Sequence, residues 1–112
     1  MKTTEIAIGG RKKVLPNDVV LLVANQNYTT LYFENGDKIL VATTLKKLEK
    51  CFAETKFFFR THKSFLVNIN HVESFTENDS LKMTNQQAVN VSRRKKLLPK
   101  QVINTHFSEV LS

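Results

Sequence analysis

The sequence predicts a mainly β fold with one short central helix and a short helical segment near the C-terminal end. Three observations predict it. Short runs rich in branched and aromatic residues recur along the chain, separated by turn-forming residues. Two of these runs flank Asn35-Gly36, the strongest short hairpin signal. Only one central stretch, residues 45–53, spaces its apolar residues as a helix does. The 112 residues fit one domain, spanning 1–112, with room for a modest core.

Residues 5–8 read as the first strand, and Gly9-Gly10 as a tight turn after it. Arg11-Lys12-Lys13-Val14-Leu15 returns antiparallel. Pro16-Asn17-Asp18 turns the chain into Val19-Val20-Leu21-Leu22-Val23, whose unbroken apolar character fits a strand buried on both faces. Asn25-Gln26-Asn27 breaks that strand. In the next one, the period of two puts Tyr28, Thr30 and Tyr32 on one face and Thr29, Leu31 and Phe33 on the other. Lys38-Ile39-Leu40-Val41 pairs with it across the Asn-Gly turn. Thr43 or Thr44 caps the helix. Leu45, Leu48 and Phe52 form its apolar stripe, and Lys46, Lys47 and Lys50 lie off the stripe.

The most apolar part of the chain follows. Phe57-Phe58-Phe59 and Phe65-Leu66-Val67-Asn68-Ile69 read as two strands. Arg60, His62, Lys63 and Ser64 lie between them, at a loop or a strand crossing. Core strands that hold a cationic loop suit a binding site, since the strands fix the loop and leave its side chains free. A second meander comes next, in 71–75, 81–83 and 88–91, with turns at Glu77-Asn78-Asp79-Ser80 and Asn85-Gln86-Gln87. Ser92-Arg93-Arg94-Lys95-Lys96 is the densest cationic run. Ser92 is a helix cap there, with Leu97, Val102 and Phe107 as apolar contacts, while Pro99 interrupts any continuous helix.

Lys and Arg outnumber Asp and Glu by 17 to 10, a net charge of +7 that favours an anionic partner. The lone Cys51 permits no internal disulfide, as in a reducing cytoplasm. The chain opens on no apolar leader, and no run is long enough to cross a bilayer, so a cytoplasmic location without membrane insertion is expected. Catalysis finds no support. His62, His71 and His106 lack the spacing of zinc ligands, and Ser64 near His62 has no placed acid or oxyanion hole. No glycine-rich phosphate loop is present, and neither a cofactor nor a metal is expected.

Nucleic acid has more in its favour. The cations cluster at 11–13, 46–50, 60–63 and 93–96, a pattern suited to phosphates. The first of these reads more readily as a solvated sheet edge whose lysines block aggregation than as a phosphate contact. Loops at strand ends can carry Arg or Lys to guanine O6 and N7 in a major groove. Two alternatives remain: an RNA-binding β module, with Tyr28 and Tyr32 as stacking candidates, and a protein-interaction domain whose charge is only solubilising.

Phe58-Phe59-Arg60-Thr61-His62-Lys63-Ser64-Phe65-Leu66-Val67-Asn68 resembles the signature of LytTR domains, mostly-β DNA-binding modules of bacterial transcription regulators. Asn27-Tyr28-Thr29, Thr44-Leu45-Lys46-Lys47-Leu48-Glu49 and Val91-Ser92-Arg93-Arg94-Lys95-Lys96 resemble other family motifs in the same order. The resemblance implies an elongated sandwich of small antiparallel sheets that binds duplex DNA through loops and not through a recognition helix. It implies base contacts from the turn with Asn27 and Tyr28, the loop with His62 and Lys63, and the segment with Arg94, with Ser64, Arg93, Lys95 and Lys96 near phosphates. Tyr28 either reads bases or packs. Arg60 either touches DNA or holds the loop by hydrogen bonds, and His62 is open between the same two roles. The resemblance further implies repeated half-sites with self-association on DNA, and either a stand-alone regulator or an effector domain served by a receiver or sensor module in cis or in trans.

Overall fold

A computed structural model describes residues 5–75 and 80–90. Three antiparallel sheets stack in layers, the largest of them at the centre. That sheet has five strands in the order β5-β4-β3-β7-β6: β3 (Val19–Asn25), β4 (Tyr28–Phe33), β5 (Lys38–Val41), β6 (Phe58–His62) and β7 (Phe65–Asn68). One of its faces carries the hairpin β1 (Ile6–Gly9) and β2 (Lys12–Val14) together with helix α1 (Leu45–Phe52). The other carries a three-stranded sheet of β8 (Val72–Phe75), β9 (Ser80–Met83) and β10 (Ala88–Asn90).

Two cores result, one on each face of the central sheet. The first joins Ile8 and Val14 to Leu22, Leu31 and Leu66 of the sheet and to Leu45, Leu48 and Phe52 of α1. The second joins Val20, Leu21 and Val67 to Val72, Leu81, Met83 and Val89. Both faces of β3 are therefore covered, which explains its unbroken apolar run. The pairing of β3 with β4 slips between Val19 and Leu21. This bulge lets consecutive Val20 and Leu21 enter the same core while Val19 and Leu22 enter the other.

Local chemistry accounts for the connections. The β4–β5 loop runs from Glu34 to Asp37; Gly36 takes φ +94°, and the Asn35 side chain accepts from the Asp37 amide at 2.9 Å. Thr44, not Thr43, caps α1, accepting from the Lys47 amide at 3.3 Å. Thr43 instead donates to the Ile8 carbonyl at 2.7 Å and accepts, through its own carbonyl, from the Thr29 hydroxyl at 2.6 Å. Those two bonds tie β1, the approach to α1 and β4 together. After β7, the buried Asn68 side chain donates to the Val19 carbonyl at 2.9 Å and accepts from the Asn70 amide at 2.8 Å. It thus starts the 3-10 turn Ile69–His71 and staples it to the head of β3.

The structure corrects several boundaries. β3 continues to Asn25, so the chain turns at Gln26-Asn27 alone. β6 runs through Arg60 to His62, so these two residues lie on a strand and not in a loop. The ladder holds because Thr61 is absorbed as a bulge between Arg60 and His62. α1 ends at Phe52, and Ala53–Thr55 tightens into a 3-10 turn. His71 belongs to the 3-10 turn before β8, where its Nε2 meets the Asn17 carbonyl at 2.8 Å. Ser80 begins β9 instead of ending a turn. Residues 77–79 of the expected turn, and the C-terminal helical segment, lie outside the described residues.

Candidate nucleic-acid interface

Two hairpin turns meet at one end of the central sheet. β3 pairs with β4 up to Asn25 opposite Tyr28, which leaves Gln26-Asn27 as the turn. β6 pairs with β7 up to His62 opposite Phe65, which leaves Lys63-Ser64 as the other. The β3–β7 register, Val23 opposite Phe65, sets these turns side by side. A bond from the Ala24 amide to the Ser64 carbonyl, 2.8 Å, joins them directly. Residues thirty-odd positions apart in sequence thus share one rim because the two strands between them are neighbours.

Exposure sorts the expected site residues. Asn27, Tyr28 and Lys63 are exposed, Tyr28 to 49 %. His62 and Ser64 are half-buried. The Ser64 amide donates to Nδ1 of His62 at 3.1 Å, and the His62 ring lies 5.3 Å from that of Phe65. A neutral ring that accepts at Nδ1 carries its proton on Nε2, so one nitrogen of His62 shapes the turn and the other is a donor. Arg93, Arg94, Lys95 and Lys96 lie outside the described residues. β10 runs away from the Ile69–His71 turn, since Met83 lies near that turn and Asn90 pairs with Ser80 at the other end of β9. The basic run 93–96 begins three residues beyond that end.

Arg60 points inward. Its side chain is 17 % exposed, with Nε donating to the His62 carbonyl at 2.9 Å and one terminal nitrogen to the Lys63 carbonyl at 2.6 Å. The other terminal nitrogen meets Oε1 of Glu49, on α1, at 2.7 Å. All three nitrogens are engaged, so of its two expected roles the geometry supports holding the loop. Glu49 is a contact that sequence reasoning missed. The available signal was an acid alone among Lys46, Lys47 and Lys50 on the helix, but nothing local showed which cation it faces.

Among the described residues no His, Cys, Asp and Glu group is arranged to hold a metal, and no helix is long and apolar enough to cross a membrane. What the rim offers is a set of exposed donors in or beside the two turns, the Asn27 amide, the Tyr28 hydroxyl and the Lys63 ammonium, with the half-buried His62 next to them. Donors of this kind suit the acceptor-rich edge of a duplex, and with the mainly β fold they mark the chain as a DNA-binding module. The family described as the LytTr DNA-binding domain matches residues 9–104. The chain belongs to this LytTR family, and its partner is duplex DNA. A solved structure described as the LytTr DNA-binding domain of a methyl-accepting/DNA response regulator from Bacillus cereus has the same fold, with a TM-score of 0.61. The two are 22 % identical over 97 % of this chain and 95 % of the other. No curated protein matches.

Proposed function

We propose that the chain is a sequence-reading effector domain of a transcription regulator, and that the β3–β4 and β6–β7 turns enter the major groove together. The adjacency of the two turns carries this reading, through the 2.8 Å bond between Ala24 and Ser64. In it, Lys63 and Arg94 contact base edges, Asn27, Tyr28 and His62 line the same rim, and Ser64, Arg93, Lys95 and Lys96 lie along phosphates. Two copies occupy repeated half-sites, recruited by a receiver or sensor module in cis or in trans.

Selection from a random duplex pool, followed by titration of the winner at several salt concentrations, tests this. An enriched motif bound far more tightly than scrambled duplex supports it, and repeats within that motif report the half-site spacing. Lys63→Ala and Arg94→Ala should each cost about 1–3 kcal/mol and relax the preference at one position. Lys95→Ala should weaken all duplexes alike and reduce the salt slope by about 1. Binding with no enriched motif would refute groove reading and leave only the phosphate charge term.

A further inference from the structure

We infer that Arg60 and Glu49 are positioning residues for DNA reading: the pair clamps the β6–β7 turn from helix α1, which contributes no reading residue itself. The inference rests on the proposed role of that turn. Two-residue hairpin turns are stable by themselves when their backbone enters the left-handed region, which matches the twist of the strands. Neither Lys63 nor Ser64 has a positive φ, and neither is a residue that favours one. The strand leading in is further disturbed by the Thr61 bulge. Such a turn needs holding from outside.

Arg60 supplies the hold. Its planar fork spans the His62 and Lys63 carbonyls at 2.9 and 2.6 Å. The second of these belongs to the residue whose ammonium is proposed to read a base. Fixing that carbonyl fixes the Cα from which the Lys63 side chain departs. Glu49 fixes the remaining edge of the guanidinium at 2.7 Å. The helix that carries Glu49 is itself anchored, with Leu45, Leu48 and Phe52 in the first core and the Phe52 ring 4.7 Å from that of Phe58 on β6. The positive charge of Arg60 is thereby matched within the protein and is withdrawn from the surface that faces phosphate.

The test measures affinity for the selected motif and for scrambled duplex, across salt, in the parent, Glu49→Ala, Arg60→Lys and Lys63→Ala. A charge effect and a positioning effect have opposite signs at Glu49. Removing a carboxylate near DNA raises the net charge and tightens binding to every duplex, whereas loosening the turn weakens the motif alone. We expect Glu49→Ala to lose about two- to fivefold for the motif, a modest figure because the carboxylate is 42 % exposed. Arg60→Lys keeps the charge but not the fork, and should lose about tenfold. The salt slope should stay at the parental value in both, where loss of a phosphate contact would reduce it by about 0.9. Amide exchange at Ser64 should quicken in free Glu49→Ala at an unchanged melting temperature. Motif affinity in Glu49→Ala equal to or tighter than the parent's, or unchanged Ser64 exchange, overturns the clamp while groove reading stands. A parent that does not distinguish motif from scrambled duplex, or a Lys63→Ala variant that binds like the parent, overturns the turn's role and the clamp with it.

Discussion

Replacing Asn68 with alanine removes three hydrogen bonds from a side chain that is fully buried. Its amide nitrogen donates to the Val19 carbonyl at 2.9 Å and, at the limit of bonding, to the Pro16 carbonyl at 3.4 Å. Its oxygen accepts from the Asn70 amide at 2.8 Å. The two short bonds contribute about 1 kcal/mol each, and leaving a buried group without its partner costs about 1–3 kcal/mol more. Asn70 is exposed and its amide can turn to water, so the unmet cost falls at Val19, which is completely buried. The total is about 3–5 kcal/mol, which for a domain of this size corresponds to a fall in Tm of roughly 12–30 °C. Thermal unfolding followed by circular dichroism measures it. Asn68→Asp should be no better, because it keeps the acceptor for Asn70 but turns a carboxylate oxygen toward the Val19 and Pro16 carbonyls. A Tm for Asn68→Ala within about 3 °C of the parent would refute the reasoning, since even the two short bonds alone predict more.

Three further substitutions test other links. The buried Thr61 hydroxyl is the one buried side-chain polar atom without a partner among the described residues, so Thr61→Val should raise the unfolding free energy by about 1 kcal/mol in a denaturant titration. Gly9 holds φ +114° with Thr43 Oγ1 against the place a side chain would fill, so Gly9→Ala should lower stability by about 2 kcal/mol or more in the same assay, with the Thr43–Ile8 bond lost. Tyr28 is 49 % exposed at the rim, so Tyr28→Ala should leave Tm within about 2 °C while weakening binding to the selected duplex, read by fluorescence anisotropy.

The signature stretch interleaves side chains that face solvent with side chains that hold the fold. Lys63 faces outward, while Arg60 and Asn68 in the same motif face inward, one to the turn and one to the head of β3. A sequence motif alone cannot separate the two kinds of residue. Arg60 lies among residues that the family resemblance assigns to DNA, but a bulge and a neighbouring helix turn its guanidinium back toward the chain. The same holds for the expected loop at 60–64, which shrinks to Lys63-Ser64. Cationic residues read locally as solvated loop, yet a strand tolerates them where the fork of Arg60 and the ring of His62 find partners.

What the sequence determined by itself was whatever depends on near neighbours. The period of two in β4, the Asn35-Gly36 turn and the stripe of Leu45, Leu48 and Phe52 all follow from backbone geometry within one or two turns of chain. So did the mainly β class, and the basic character that family membership now ties to DNA. What only the tertiary structure decided was whatever depends on partners far along the chain. The order β5-β4-β3-β7-β6 brings Ala24 beside Ser64, and the packing of the layers sets Glu49 against Arg60 and places Asn68 under Val19. Strand order is chosen by how both faces of β3 can be covered at once, a condition that belongs to the whole core and to no segment of it.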